Sequence, residues 1–217
     1  RFITATNYSG TCGIQTDDSL WCWGSGSHYR PAGSTAEDRY SPMQVPGAWR
    51  SVSISLLATC GVRTDGTGWC WGENSHGTLG DGTTVDRNTP TVPVAATGPG
   101  SGPGAGSGVW REITVVNQTV CGVQTDWSGW CWGRSRWIPD PEVDWLSLTP
   151  VRVEGKWRTL APYQVSPKNG DAEEGMCGIA PDGSSWCWGE STNVPVFGVP
   201  ATFGEDLVEA PGVWASR

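Results

Sequence analysis

A pattern with two cysteines recurs four times, and it leaves this chain few ways to fold. One copy reads Cys121-Gly122-Val123-Gln124-Thr125-Asp126-Trp127-Ser128-Gly129-Trp130-Cys131-Trp132-Gly133; the others span Cys12–Gly24, Cys60–Gly72 and Cys177–Gly189. Each has a Gly after its first Cys, an Asp at the centre and a closing W-C-W-G, and together they hold all 8 cysteines of the chain. Self-similarity of this kind marks a repeat protein, whose units cannot bury their apolar faces alone and must stack on one another.

Within a copy, two short runs flank a cluster of turn formers, here Asp126, Trp127 and Ser128. Asp and Ser stabilise tight turns through their own side chains, so the copy reads as a β-hairpin. Folding it about Asp126 sets Cys121 opposite Cys131, within disulfide reach. The same folding pairs Cys12 with Cys22, Cys60 with Cys70 and Cys177 with Cys187. Side chains alternate along a strand, so Cys121, Val123 and Cys131 share one face. Gly122 falls on the other face opposite Trp130, and the expectation is that it leaves room for that indole. Both faces of the hairpin are apolar or aromatic, which places it between two layers.

Flanking landmarks extend the unit. Trp49-Arg50-Ser51-Val52, Trp110-Arg111-Glu112-Ile113 and Trp157-Arg158-Thr159-Leu160 precede three copies, and Arg1-Phe2-Ile3 precedes the first as the same element without its Trp. Pro42-Met43-Gln44-Val45, Thr91-Val92-Pro93-Val94 and Pro150-Val151-Arg152-Val153 follow. Each unit therefore offers four short strands. The units run over about 1–48, 49–109, 110–156 and 157–217, in one domain with a Gly/Pro-rich flexible loop at 95–108. The chain opens at Arg1 inside a repeat and reads as a mature or trimmed segment.

The combination of W-R-x-[IV], C-G-[IV]-x-x-D-G, the run Glu73-Asn74-Ser75-His76-Gly77-Thr78-Leu79-Gly80-Asp81-Gly82-Thr83 and a Pro-Val strand resembles the regulator of chromosome condensation repeat. Trp49 to Val94 carries nearly the whole pattern, and the other copies keep the hairpin and most flanking strands but lose the G-x-L-G-D-G-T run. The resemblance implies an all-β fold, a β-propeller of four-stranded antiparallel blades with one hairpin disulfide per blade. Four repeats make either a four-bladed ring or an arc of a larger propeller. Paired cysteines give the look of a secreted, disulfide-containing variety of the repeat.

Composition bounds the partners. A net charge of −8 opposes nucleic-acid binding and attraction to anionic lipid. No apolar run is long enough to span a bilayer as a helix. An even cysteine count in local pairs points to an oxidising, extracellular compartment. The sequons at Asn7 and Asn117 are candidate N-glycosylation sites and fit secretion.

Most of the 15 tryptophans belong to the repeat and read as inter-blade core. Trp127, Trp137 and Trp145 fall outside the repeated positions and are the candidate binding residues. Trp127-Ser128-Gly129-Trp130 also matches the W-x-x-W pattern of C-mannosylation. His28 and His76 stand at one offset after W-G, without the further ligands of a metal site. Asp81, Asp86 and Asp171-Ala172-Glu173-Glu174 read as solvated turn residues rather than a calcium site. No nucleophile elbow, zinc-protease motif or unpaired cysteine is offered, so neither a catalytic residue, a metal nor a cofactor is expected.

These readings converge on an extracellular binding or structural module, not an enzyme, whose variable loops engage a protein partner or an extracellular assembly. The alternatives are a lectin that stacks sugars on exposed Trp, and a secreted enzyme inhibitor. Guanine-nucleotide exchange and chromatin binding, the founding member's roles, are opposed by the acidic charge and the disulfides.

Overall fold

The computed structural model describes residues 2–5, 10–24, 39–93, 109–138, 145–165, 173–189 and 208–210, with backbone alone at 2–5, 39–40, 91–93, 165, 173 and 208–210. Every regular element among them is a β-strand. In chain order they are β1 (Phe2–Ala5), β2 (Gly10–Ile14), β3 (Ser19–Gly24), β4 (Arg39–Ile54), β5 (Ala58–Arg63), β6 (Gly68–Gly72), β7 (Arg87–Pro93) and β8 (Trp110–Val116). Then follow β9 (Thr119–Gln124), β10 (Gly129–Arg134), β11 (Leu146–Val153), β12 (Thr159–Val165), β13 (Glu173–Ile179), β14 (Ser185–Gly189) and β15 (Val208–Ala210). The Gly/Pro-rich loop at 95–108, Asn7 and His28 lie outside the described residues.

The strands form four antiparallel blades. Blades 3 and 4 are the sheets β8–β11 and β12–β15. Blades 1 and 2 appear as one seven-stranded sheet because β4 serves both. Its first part pairs with β3 as far as Ala48, and from Trp49 it pairs with β5. The two strands expected here are continuous, and Gly47 turns the corner between them with a left-handed φ of 116°.

The cysteines pair as the hairpin register requires. Cys12–Cys22, Cys60–Cys70, Cys121–Cys131 and Cys177–Cys187 are disulfides, each with a Cα–Cα separation of 4.1 Å. Every pair sits directly opposite in its ladder.

Each blade has a disulfide face and a tryptophan face, and blades stack unlike face to unlike face. Cys12, Ile14, Leu20, Cys22 and Val45 of blade 1 pack on Trp49, Val52 and Trp71 of blade 2. Cys60, Val62 and Cys70 of blade 2 meet Trp110, Ile113 and Trp132 of blade 3. Cys121, Val123 and Cys131 of blade 3 meet Trp157, Leu160 and Met176 of blade 4. Burying apolar surface on both faces of each hairpin is the main force that joins the blades.

The tryptophan face is a pair of indoles. Trp49 lies 5.6 Å from Trp71, Trp110 lies 5.9 Å from Trp132, and Trp157 lies 5.6 Å from Trp188, all tilted or edge-on. Offset and edge geometries suit the ring quadrupole. In blades 2, 3 and 4 the glycine after the first cysteine accommodates the first indole of the pair. A Cβ on Gly122 would come within 2.5 Å of Trp110, and one on Gly61 within 2.8 Å of Trp49. The expected occupant of that space was Trp130. It does stand opposite Gly122 in the ladder, but its indole is held elsewhere.

Candidate functional site

The hairpin turns are built identically. Ser19 donates from its backbone N–H (3.0 Å) and its hydroxyl (2.7 Å) to Asp17 Oδ1, and Trp21 Nε1 donates to Ser19 Oγ at 2.9 Å. Asp65, Thr67 and Trp69 repeat this, as do Asp126, Ser128 and Trp130, and Asp182, Ser184 and Trp186. The first Trp of each W-C-W is thus half-buried and strapped to its own turn, whereas the second, in Trp71, Trp132 and Trp188, belongs to the indole pair. Hydrogen bonds from the Ser or Thr hydroxyl, and then from the same residue's N–H, hold Asp17, Asp65 and Asp182 below the ordinary carboxylate range. Asp126 is lowered by Ser128 as well, with Lys156 and Arg152 adding to the effect. These carboxylates are structural turn groups, each with Oδ1 engaged by two donors of its own turn.

The run from Gly77 to Thr83 is a clamp between blades. Asn74 is fully buried; its Oδ1 accepts from Leu79 N at 2.9 Å, and its Nδ2 donates to Asp81 Oδ1 at 3.1 Å and Thr83 O at 2.9 Å. Asp81 also pairs with Arg87 at 3.2 Å, and its side chain is only 4% exposed. Burial alone would raise its pKa, but the hydrogen bonds from Thr83, Arg87 and Asn74 outweigh this and lower it. Asp81 is therefore an enclosed structural group rather than the solvated turn residue expected, and Asp86 Oδ1 accepts from the Asn74 backbone N–H at 2.8 Å. The loop reaches blade 3, where Trp132 Nε1 donates to Thr78 O at 2.9 Å and Gly82 N donates to Leu148 O at 2.9 Å.

The three candidate tryptophans do not share a surface. Trp127 occupies the β9–β10 turn with a φ of 70°, where the equivalent turns carry Asp18, Gly66 and Gly183. A left-handed backbone is costly for an aromatic residue. Arg111 lies over its ring at 4.1 Å. Trp137 and Trp145 lie at the other end of the strands, in the segment joining β10 to β11. Trp145 also has a left-handed φ, 65°, and is 48% exposed. Arg136 covers one face of its ring at 4.0 Å.

Trp137 and Trp145 line a groove of about 750 Å³ that runs across blades 2, 3 and 4. Its walls are the β4–β5 turn (Leu56, Leu57), the β8–β9 turn (Val116 to Thr119), the β10–β11 segment and the facing ends of β12 and β13 (Pro162 to Gln164, Glu174, Gly175). Backbone hydrogen bonds tie these pieces together. Arg134 N donates to Gln118 O at 3.0 Å, and Ser135 N donates to Trp145 O at 3.1 Å. The hydroxyl of Thr119 donates to Arg134 O at 2.7 Å, and Ser55 Oγ donates to Asn117 O at 3.1 Å. Asn117, the sequon residue, stands in the groove wall with a φ of 50°. Gln164 and Glu174, joined at 2.8 Å, close the blade 4 side. Sequence reasoning singled out Trp137, Trp145 and Asn117 separately but gave no sign that they meet. Tyr163 and Gln164 carried no motif that would have nominated them, and Glu174, read from the sequence as a solvated turn residue, stands instead in strand β13.

Among the described residues, no group of His, Cys, Asp and Glu is gathered to hold a metal ion. His76 bonds its neighbour Ser75 at 2.8 Å.

Antiparallel four-strand blades stacked through alternating faces define a chain of the β-propeller class. Residues 65–101 match the model of the Regulator of chromosome condensation (RCC1) repeat, which bears out the resemblance in Trp49 to Val94. Solved structures agree on the fold. Human WBSCR16 superposes with a TM-score of 0.65 at 13% identity, covering 83% of this chain and 45% of that one. Yeast RCC1 (Prp20), solved with Kap60, superposes with a TM-score of 0.64 at 14% identity, covering 86% and 45%. Prp20p of Saccharomyces cerevisiae, described with its binding to Gsp1p and histones, gives 0.56 at 12% identity, covering 94% and 62%. This chain thus spans under half the length of the first two, and at these identities the likeness is one of fold. No curated protein matches the sequence.

Proposed function

We propose that this chain is a non-catalytic, extracellular binding module in which the disulfide-stapled blades are scaffold and the groove across blades 2 to 4 is the ligand site. The observation that carries this reading is the composition of the groove wall. It is built from segments in which the repeats differ, and it gathers two of the three non-repeat tryptophans. The repeated positions, by contrast, are consumed in indole pairs, hairpin turns and disulfides. Four disulfides among the described residues support an oxidising compartment. Rigid strands presenting variable loops are a general solution for binding without chemistry of their own.

A photo-reactive amino acid placed at position 145 tests the site against one placed at position 127. Expected is cross-linking to extracellular material of the native source from position 145 alone. Equal labelling from both ends, or none from 145, would overturn the groove as the site.

A further inference from the structure

We infer that the groove takes a neutral saccharide. The inference rests on the groove being the ligand site, and it follows from the chemistry of the wall. Trp145, Trp137 and Tyr163 give the groove three aromatic side chains. Trp145 has one face covered by the Arg136 guanidinium at 4.0 Å and is still 48% exposed, so its remaining ring surface faces solvent. The apolar C–H face of a sugar ring stacks on such a surface, as amphipathic aromatics suit ligands with both apolar and polar faces.

The polar groups of the wall match a polyol. Asn117, Gln118 and Gln164 offer amides that both donate and accept, the pattern a hydroxyl needs. Glu174 adds a carboxylate acceptor that Gln164 Nε2 orients at 2.8 Å. Arg134 also lines the groove and adds guanidinium donors. Planar polar side chains reach vicinal hydroxyls in pairs, which fixes orientation within an aromatic-lined cleft.

Charge argues against an anionic ligand. Arg134, Arg136 and Glu174 all line the groove, so positive charge there is partly offset by a carboxylate. The chain as a whole carries a net charge of −8, so a sulfated or uronate-rich glycan meets a long-range repulsion that a neutral sugar does not. A protein segment would seek a pocket for a large apolar anchor. Here the aliphatic lining, Leu56, Leu57, Val116 and Pro162, is divided among three blades and interspersed with amides and charges.

The left-handed backbone of Trp145 and Asn117 fits the same reading. Strained residues persist where the surroundings hold them, and they cluster at ligand sites. Both stand in this groove, joined through the Gln118–Arg134 and Ser135–Trp145 hydrogen bonds.

The test uses the intact chain secreted by a bacterial host, which leaves Asn117 without a glycan. Tryptophan fluorescence is followed while cello-, chito- and manno-oligosaccharides are titrated in. A sulfated oligosaccharide and an acidic peptide serve as contrasts. Saturable binding of a neutral oligosaccharide is expected, weakened about tenfold in Trp145→Ala, recovered in part in Trp145→Phe, and unchanged in Trp127→Ala. Binding of the sulfated sugar or the peptide alone overturns the saccharide and leaves the groove as the site. Neutral sugar binding that Trp145→Ala does not touch, or that Trp127→Ala abolishes, overturns the saccharide at this place. If no probe binds, the saccharide inference falls, and cross-linking from position 145 then decides whether the groove reading falls with it.

Discussion

The backbone N–H of Trp157 donates to the carbonyl of Trp127 at 2.8 Å, so the first residue of blade 4 is hung from the hairpin tip of blade 3. Trp110 hangs from Gly66 at 2.9 Å and Trp49 from Asp18 at 2.8 Å in the same way. In each case the accepting residue has a left-handed φ, between 66° and 85°. That conformation turns the carbonyl of the tip toward the next blade. The position therefore selects for backbone geometry, and glycine serves it at least cost.

Trp127→Gly follows from this. Relief of the left-handed strain, about 1–3 kcal/mol for a bulky residue, offsets the loss of the Arg111 contact and of half-buried indole surface. The expected change in unfolding free energy is within about 1 kcal/mol. Trp110→Ala, which empties one half of a buried indole pair, is expected to cost about 3–5 kcal/mol. Denaturant unfolding of the two variants beside the parent checks the contrast, and equal losses would contradict it.

Asn74→Ala attacks the inter-blade clamp. The substitution leaves Leu79 N–H without its acceptor and removes two donors from Asp81 and Thr83 in a fully buried setting. A loss of about 2–4 kcal/mol is expected. Faster amide exchange should appear at Leu79 and at Gly82, whose N–H bridges to Leu148. A loss confined to blade 2, with Gly82 unchanged, would show that the loop does not join the blades.

The hairpins and their disulfides were legible because they are local. Cys121 and Cys131 are opposed by alternation and one turn, and the turn residues announce themselves. The identity of the indole over Gly122 was not legible. Trp130 is its ladder partner, but Ser128 Oγ captures that indole at 3.0 Å, and Trp110 arrives from β8 instead. The expected separation of Pro42–Val45 from Trp49 failed for a similar reason: Gly47 allows the strand to turn its corner without ending. Trp127, Trp137 and Trp145 are close in sequence, but β10 carries the chain from one end of blade 3 to the other between Trp127 and Trp137. The groove itself is invisible to any single repeat, because its wall comes from three blades.

Reduction should not proceed evenly. Cys60, Cys70, Cys121 and Cys131 are fully buried between blades, whereas Cys177 and Cys187 are half-buried. Thiol exchange needs access to a sulfur. Cys177–Cys187 is therefore expected to be alkylated first when the folded chain is treated with a mild reductant and a trapping reagent, read by peptide mass mapping. Each hairpin bridge is worth about 2–3 kcal/mol in the loop-entropy account, so Cys60→Ser with Cys70→Ser should lower stability by about that amount. Earlier trapping of Cys121–Cys131 than of Cys177–Cys187 would contradict the assigned burial.

The hairpin turns make stability depend on acid in a stated direction. Asp126 is held below the ordinary carboxylate range first by the Ser128 hydroxyl, then by the Ser128 N–H against some burial, with Lys156 and Arg152 assisting. Asp17, Asp65 and Asp182 are lowered by the matching Ser19, Thr67 and Ser184. A carboxyl lowered on folding binds fewer protons in the native state than in the unfolded one. The stabilisation is then fully present above the unfolded value, about pH 4, and is lost as pH falls through the lowered folded values. Side-chain carboxyl NMR should place all four aspartates below an unstructured reference. Ser128→Ala should raise Asp126 toward that reference and leave Asp17 and Asp182 where they are. Its acid-induced loss of stability should be shallower than the parent's, because part of the linkage has been removed. An Asp126 titration unmoved by Ser128→Ala would show that Lys156 and Arg152, not the turn hydroxyl, hold it down.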